Sequence, residues 1–222
     1  MGKTKDILSI NADGTCVFRF KDDACGENGV FDPGANQIGL KIGGMGRASL
    51  LLSRYFFEIL ESEGVRTHYV NVDGEQGTMT CHKLTMIPIE FIWRDRAWGS
   101  FCKLYGVEQG YPLNGLIEAT VKSDALGDPR INREAIVLLG KMTDEQYDKC
   151  DKYTRRIGTI FKRVLEKFDY SLIDCKVEFG INAEGEIMMG DEISGGIWRL
   201  LDKEGKPVDP IESAKRICGA QF

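Results

Sequence analysis

Residues 171–202, SLIDCKVEFGINAEGEIMMGDEISGGIWRLLD, decide how the chain is read. Asp174, Lys176 and Glu178 alternate with Ile173, Cys175, Val177 and Phe179. That period of two predicts a strand with one apolar and one charged face. A turn is expected within Asn182-Ala-Glu-Gly185, where Gly185 can supply a positive φ, and residues 186–193 form the returning strand. If Glu184-Gly185 is a two-residue turn, Ala183 pairs with Glu186 and Glu178 falls opposite Asp191. Facing carboxylates repel across a ladder. A cation between them is one reading, since Mg²⁺ takes one or two carboxylates plus substrate phosphates. A solvated hairpin face partly neutralised by Lys176 is the other, and spacing alone leaves both open.

Around this hairpin the composition is that of an ordinary soluble globular protein, with 222 residues and room for one large domain or two lobes. A formal net charge of −5 argues against a nucleic-acid binder. Seven cysteines, an odd number with no CxxC pair and no leader read before them, predict a reduced, cytoplasmic protein. Two histidines make a His-rich metal site a poor expectation, and no apolar run is long enough for a membrane span.

Outward from the hairpin, other stretches carry chemistry. Lys3 and Lys5, beside Gly2, precede a predicted hairpin (strands 6–10 and 15–20); they suit phosphate contact, although taken alone a solvated terminus is the stronger reading. Residues 24–46 are glycine-rich and predict an irregular mobile loop, followed by a helix over 47–63. Residues 65–70 and 77–93 read as strands, the latter ending in KLTMIPIEFIW. Arg94 and Arg96, two apart on a strand, are expected to share a face ahead of Gly99-Ser100, as a phosphate cradle or as surface ion pairs. Lys122 lies in an acid-rich segment that ends at Asp128. Thr143 and Gln146 form a capping-box pattern ahead of a long helical stripe.

Taken together, these motifs resemble the SAICAR synthetase (phosphoribosylaminoimidazole-succinocarboxamide synthase) family. The resemblance is carried by GKTK at the start, Lys83-Leu-x-Met86-x-Pro88-x-Glu90, Arg94 with Gly99-Ser100, the Glu118-to-Asp128 segment, IDCKVEFG, GDEIS and Arg199. It implies an α+β, two-lobed fold of mainly antiparallel sheets with helices and ATP in the interlobe cleft. The expected division is 1–87 as nucleotide-binding lobe and 88–222 as substrate- and metal-binding lobe. The implied activity is an ATP-dependent ligase of purine biosynthesis that joins carboxyaminoimidazole ribonucleotide to L-aspartate through an acyl phosphate. Lys176, Glu178 and Asp191 are the implied catalytic residues, the two acids binding Mg²⁺. Lys3, Lys5, Lys83, Met86 and Lys176 would bind ATP, and Arg94, Ser100, Lys122, Asp128 and Arg199 the substrates. The resemblance implies no nucleic-acid or membrane partner and allows a homodimer.

Three places depart from the family pattern. Met45, Gly46, Ser49 and Leu50 stand where Lys-Gly and two asparagines are usual, and Asp95 replaces an asparagine. Ser194-Gly195-Gly196 replaces Ser-Pro-Asp, with Ile197-Trp198 ahead of Arg199. These departures leave open a related heteroaromatic acid or a different amino acid as substrate, with Trp198 as a stacking surface.

Overall fold

The computed structural model describes residues 3–27, 29–33 and 38–219. Contacts divide the chain into two compact units. The first takes the described residues up to Thr85, together with Gly180–Ile197 and the described residues from Asp209. The second takes Met86–Phe179 and Trp198–Val208. This division differs from a single cut at 87/88, because the later segments bond back to the first unit. The Met189 N–H donates to the Arg66 carbonyl at 2.9 Å, and the His68 N–H to the Met189 carbonyl at 2.9 Å.

In the first unit, β1 (Lys5–Ile10) and β2 (Thr15–Phe20) form the expected antiparallel hairpin. They continue into β7 (Thr78–His82) and β6 (Tyr69–Asp73), giving the strand order β1-β2-β7-β6. The stretch 77–93, expected as one strand, is broken at Lys83 and Leu84 before β8 (Thr85–Arg96). The glycine-rich stretch is not irregular throughout. Its described part forms β3 (Asp23–Glu27), β4 (Val30–Phe31) and β5 (Ile38–Lys41) in the order β4-β3-β5. Residues 28 and 34–37 of that expectation, like Gly2 of the opening motif, lie outside the described residues.

Helix α1 (Met45–Ser62) buries Leu52, Phe56, Phe57 and Leu60 at helical spacing. It begins two residues earlier than its apolar stripe predicts. Gly44 takes a left-handed conformation at the N-cap, and Asp22 Oδ1 accepts the Gly46 N–H at 2.9 Å. An acid from the connection between β2 and β3 thereby satisfies one orphan donor of the first turn. A Cβ on Gly46 would lie 2.7 Å from the Phe20 carbonyl oxygen, so the glycine kept from the family's Lys-Gly has a packing reason. Helix α5 (Pro210–Cys218) lies against α1.

The second unit is built on β8, β9 (Pro112–Val121), β10 (Ser171–Ile181) and β12 (Trp198–Leu201), in the order β9-β8-β10-β12. Helix α4 (Asp144–Glu166) starts on the expected capping box, with Thr143 Oγ1 accepting the Gln146 N–H and the Gln146 side chain accepting the Thr143 N–H. Its stripe of Ile157, Phe161, Val164 and Leu165 is buried. The shorter α2 (Ser100–Tyr105) and α3 (Arg133–Leu138) complete this unit. Among the described residues, no helix is long and apolar enough to cross a membrane.

Gly158 sits where α4 meets Trp93 of β8. A Cβ there would lie 2.3 Å from the indole Cδ2. Gly158→Ala is expected to cost about 1–3 kcal/mol through overpacking and to lower the unfolding midpoint by several degrees. A wild-type midpoint would show that the indole can move aside.

Candidate functional site

The hairpin register differs by one residue from the expected one. The Asn182 N–H donates to the Glu186 carbonyl at 3.0 Å, and the Gly185 N–H to the Asn182 carbonyl at 3.1 Å. Three residues lie between the closing pair, with Gly185 left-handed at φ 81°. This is the three-residue hairpin that ends in a glycine bulge. Asn182 also accepts the Glu184 and Glu186 N–H groups on its side chain, which favours the longer loop. A three-residue loop does not give the register that a Glu184-Gly185 turn would, so the facing of Glu178 and Asp191 expected from that turn does not follow.

Asp191 belongs to a cluster in the first unit. Lys5 Nζ contacts Asp191 Oδ1 and lies 3.2 Å from Glu192 Oε2. Thr4 Oγ1 donates to Glu192 Oε2 at 2.8 Å, and Ser194 Oγ to Glu192 Oε1 at 2.8 Å. The Gly196 N–H then donates to Ser194 Oγ. The β1 opening and the GDEIS loop are thus tied by side chains. Asp191 is left-handed at φ 64°, an unusual state for a residue with a side chain.

His68, itself buried, donates a ring hydrogen bond to the Asp191 backbone, while its Nε2 has no hydrogen-bond partner. Sequence reasoning missed Thr4 and Glu192. Both adjoin residues it did select, and a threonine between two lysines and an acid beside an acid were the available signals. Lys3 and Lys83 are exposed in the same unit, and the Lys83 N–H donates to the Gly14 carbonyl. Gly195 has no room for the family's proline, because a Cβ there would lie 2.4 Å from Pro210 Cβ.

The second unit holds two further clusters. Lys176 and Glu178 share a face of β10. Glu178 is 3 % exposed, and Lys122 Nζ reaches both its oxygens at 2.6 and 2.5 Å. Lys176 Nζ sits 3.9 Å from Glu178 and donates to buried Glu90 at 2.7 Å. Thr120, paired with Glu90 across β8 and β9, donates to its other oxygen at 3.0 Å. Glu90 was legible as an acid inside an apolar run. Met86 is exposed at the start of β8. Asp128 closes its loop, accepting the Ser123 N–H at 2.7 Å from a left-handed backbone.

The other cluster is a row of charges, one from each strand. Arg94 of β8 contacts Glu118 of β9 through Nε and Asp174 of β10 through Nη1, the latter at 2.7 Å. Arg199 of β12 donates to Asp174 at 2.9 Å. Arg130 donates to Glu118 at 2.5 Å. Arg94 and Arg96 do not share a face: the β8–β9 register shifts between them, leaving Arg94 buried and Arg96 exposed. Such a bulge breaks the alternation on which the expectation rested. Ser100 is exposed at the start of α2, and a Cβ on Gly99 would lie 3.5 Å from Arg199 Nη2. Asp95 pairs with Lys162 at 2.9 Å. Trp198 is 3 % exposed and packs edge-on against Phe161 at 5.4 Å, so it offers no stacking surface to a ligand.

Glu178 and Asp191 offer oxygen donors, the type Mg²⁺ prefers, and each carboxylate already contacts a lysine ammonium. No group of three or more His, Cys, Asp or Glu side chains gathers as a metal site among the described residues. Asp191 lies in the first unit and Glu178 in the second, and each carboxylate by itself suits an ion that completes its shell with substrate oxygens and water, not an all-protein cage. Buried carboxylates clamped by lysines, on an α+β scaffold of antiparallel sheets, define a candidate nucleotide-dependent enzyme.

The comparisons with known proteins narrow that class. The SAICAR synthetase family model matches residues 1–215. A phosphoribosylaminoimidazole-succinocarboxamide synthase of Clostridium tetani is 42% identical over 97% of this chain and 96% of its own length. One of Finegoldia magna is 37% identical over 91% and 84%. A solved SAICAR synthetase (Type-2) in complex with ADP superposes with a TM-score of 0.88 at 29% identity, covering 100% of this chain and 98% of that one. The chain belongs to the SAICAR synthetase family.

Burial, with further lowering by Lys5, pushes the His68 pKa down to about 4 from an ordinary 6.5. Because the folded value is depressed, the unfolded chain binds the proton first as pH falls. His68 therefore stabilises the fold in full above about pH 6.5, and this contribution is lost as pH falls towards 4. The shift corresponds to about 3 kcal/mol. In a Tm series from pH 7 to pH 4.5, His68→Phe should flatten the decline. A variant with the wild-type slope would place the acid sensitivity elsewhere.

Proposed function

We propose that this chain joins carboxyaminoimidazole ribonucleotide to L-aspartate at the expense of ATP, giving SAICAR, ADP and phosphate. The observation that carries the reading is the pairing of motif carboxylates with motif lysines: Asp191 with Lys5, and Glu178 with Lys122 and Lys176. An ammonium held against a buried carboxylate is positioned for a phosphate while its own charge is balanced.

In the reaction, a carboxylate oxygen of the ribonucleotide attacks the γ-phosphorus of ATP and ADP leaves. The aspartate amine then attacks the acyl carbon, the C–O bond to phosphate breaks, and the nitrogen loses a proton. No protein nucleophile is required. Lys3, Lys5, Lys83 and Lys176 supply positive charge for the nucleotide, and Met86 supplies an exposed apolar surface. Glu178 and Asp191 would hold Mg²⁺, whose charge would offset that of the transferring phosphoryl group. Arg94, Ser100, Lys122, Asp128 and Arg199 bind the substrates, the arginines suited to phosphate or carboxylate by their planar fork and Asp128 to an amine or hydroxyl. By chain position the same reading makes 1–87 the nucleotide-binding part and 88–222 the substrate- and metal-binding part, with Gly180–Ile197 and the described residues from Asp209 belonging to the first compact unit. It also includes a cytoplasmic location and a homodimer.

Glu178→Gln should lower kcat by about 100-fold or more while the protein stays folded. Wild-type turnover in that variant would remove Glu178 from the catalytic set. Arg199→Ala should raise KM for the ribonucleotide at least about ten-fold, the loss of a charge-assisted hydrogen bond, and leave KM for ATP within about two-fold. An unchanged ribonucleotide KM would remove Arg199 from the substrate site.

A further inference from the structure

We infer that Asp174 is a positioning residue for the sugar-phosphate end of the substrate, acting through Arg199; this rests on the reading that Arg199 binds that anion. Asp174 is 3 % exposed, and one of its oxygens, Oδ2, accepts from both Arg94 Nη1 at 2.7 Å and Arg199 Nη1 at 2.9 Å. Its Oδ1 accepts from Arg199 again at 3.2 Å. Asp174 and Arg199 are directly paired across β10 and β12, beside a register shift between Leu172 and Asp174. A single buried carboxylate therefore fixes two guanidinium groups against each other.

The row Glu118–Arg94–Asp174–Arg199 alternates in sign across four strands, and Arg130 caps its far end. The row and its cap bring three arginines to two carboxylates, a concentration of guanidinium groups suited to an anion. Arg94 is the less accessible of the two that Asp174 holds: it is 3 % exposed, with Nε and Nη1 held by acids on both sides. Arg199 is the more accessible partner, with side-chain exposure of 19%. Its Nη2 lies beside Gly99, where the absence of a Cβ opens the approach at the start of Ser100. Asp174 sets where that edge points. A buried salt bridge by itself adds little to stability, but a guanidinium locked in place loses less freedom when it binds phosphate. Orientation is therefore the role that the geometry supports.

Asp174→Asn removes the charge while keeping the shape. It should raise KM for carboxyaminoimidazole ribonucleotide by about ten-fold or more, with KM for ATP and kcat at saturation within about two-fold. In a double-mutant cycle, Asp174→Asn combined with Arg199→Ala should be no worse than Arg199→Ala alone, because one residue acts through the other. Independent, multiplying effects would overturn the inference, as would a uniform loss in kcat and every KM together with a lowered Tm. If Asp174→Asn does not fold, Asp174→Glu retains the charge and displaces the carboxylate by one methylene, a shift large enough to misplace Arg199. It should raise the ribonucleotide KM selectively, and an unchanged value would overturn the inference. A different failure, Arg199→Ala with normal ribonucleotide KM, would instead sink the substrate reading on which the inference rests.

Discussion

A buried carboxylate must meet a positive partner or lose its charge, and this constraint shapes the chemistry-bearing parts of the chain. Glu90, Glu178, Asp174 and Glu192 are all buried. Each is answered by a lysine or arginine from elsewhere in the sequence: Lys176, Lys122, Arg94 with Arg199, and Lys5. The partners are up to 187 residues apart, so long-range folding brings each pair together. Breaking any pair from one side leaves an uncompensated charge, which is costlier than the pair is favourable. The clusters therefore come as units. A phosphate or cation entering them exchanges one charged partner for another.

The scaffold that holds these charges is simple. In the second unit β8, β9, β10 and β12 each contribute one member of the arginine–carboxylate row, and the period-two geometry of the strands keeps them on one line. Where the alternation breaks, at the bulge after Arg94, the next arginine goes to solvent and takes no part. In the first unit the glycine-rich turns perform the corresponding task. Gly46 allows α1 to start against the Phe20 carbonyl, and Gly195 allows the GDEIS loop to pass Pro210.

Much of this was legible in the sequence. The N-terminal hairpin, α1, the capping box of α4 and the strand through Lys176 all follow from local patterns. Glycine content misled the reading of residues 24–46, because short strands tolerate glycine where a neighbouring strand supplies the hydrogen bonds. The hairpin register was missed because Asn182 draws the turn one residue longer than Glu-Gly suggests. Trp198 was read as a ligand surface because aromatic residues near an active-site motif invite it. The Phe161 contact that buries it comes from a helix 37 positions earlier, a partner no local pattern could show. Most of the site lysines were visible through their motifs. The acids that hold them, Glu90 and Glu192, lie inside quoted motifs too, but nothing local marked them as the lysines' partners.

The central claim, an acyl phosphate formed on the ribonucleotide carboxylate, is tested most directly by following that oxygen. Carboxyaminoimidazole ribonucleotide labelled with ¹⁸O in its carboxylate would be turned over with ATP, Mg²⁺ and L-aspartate. The inorganic phosphate and the new amide would then be analysed by mass. The account predicts one ¹⁸O atom transferred to phosphate for each amide formed. Amide formed alongside unlabelled phosphate would contradict the acyl phosphate route, and phosphate released without any amide would contradict the ligase itself.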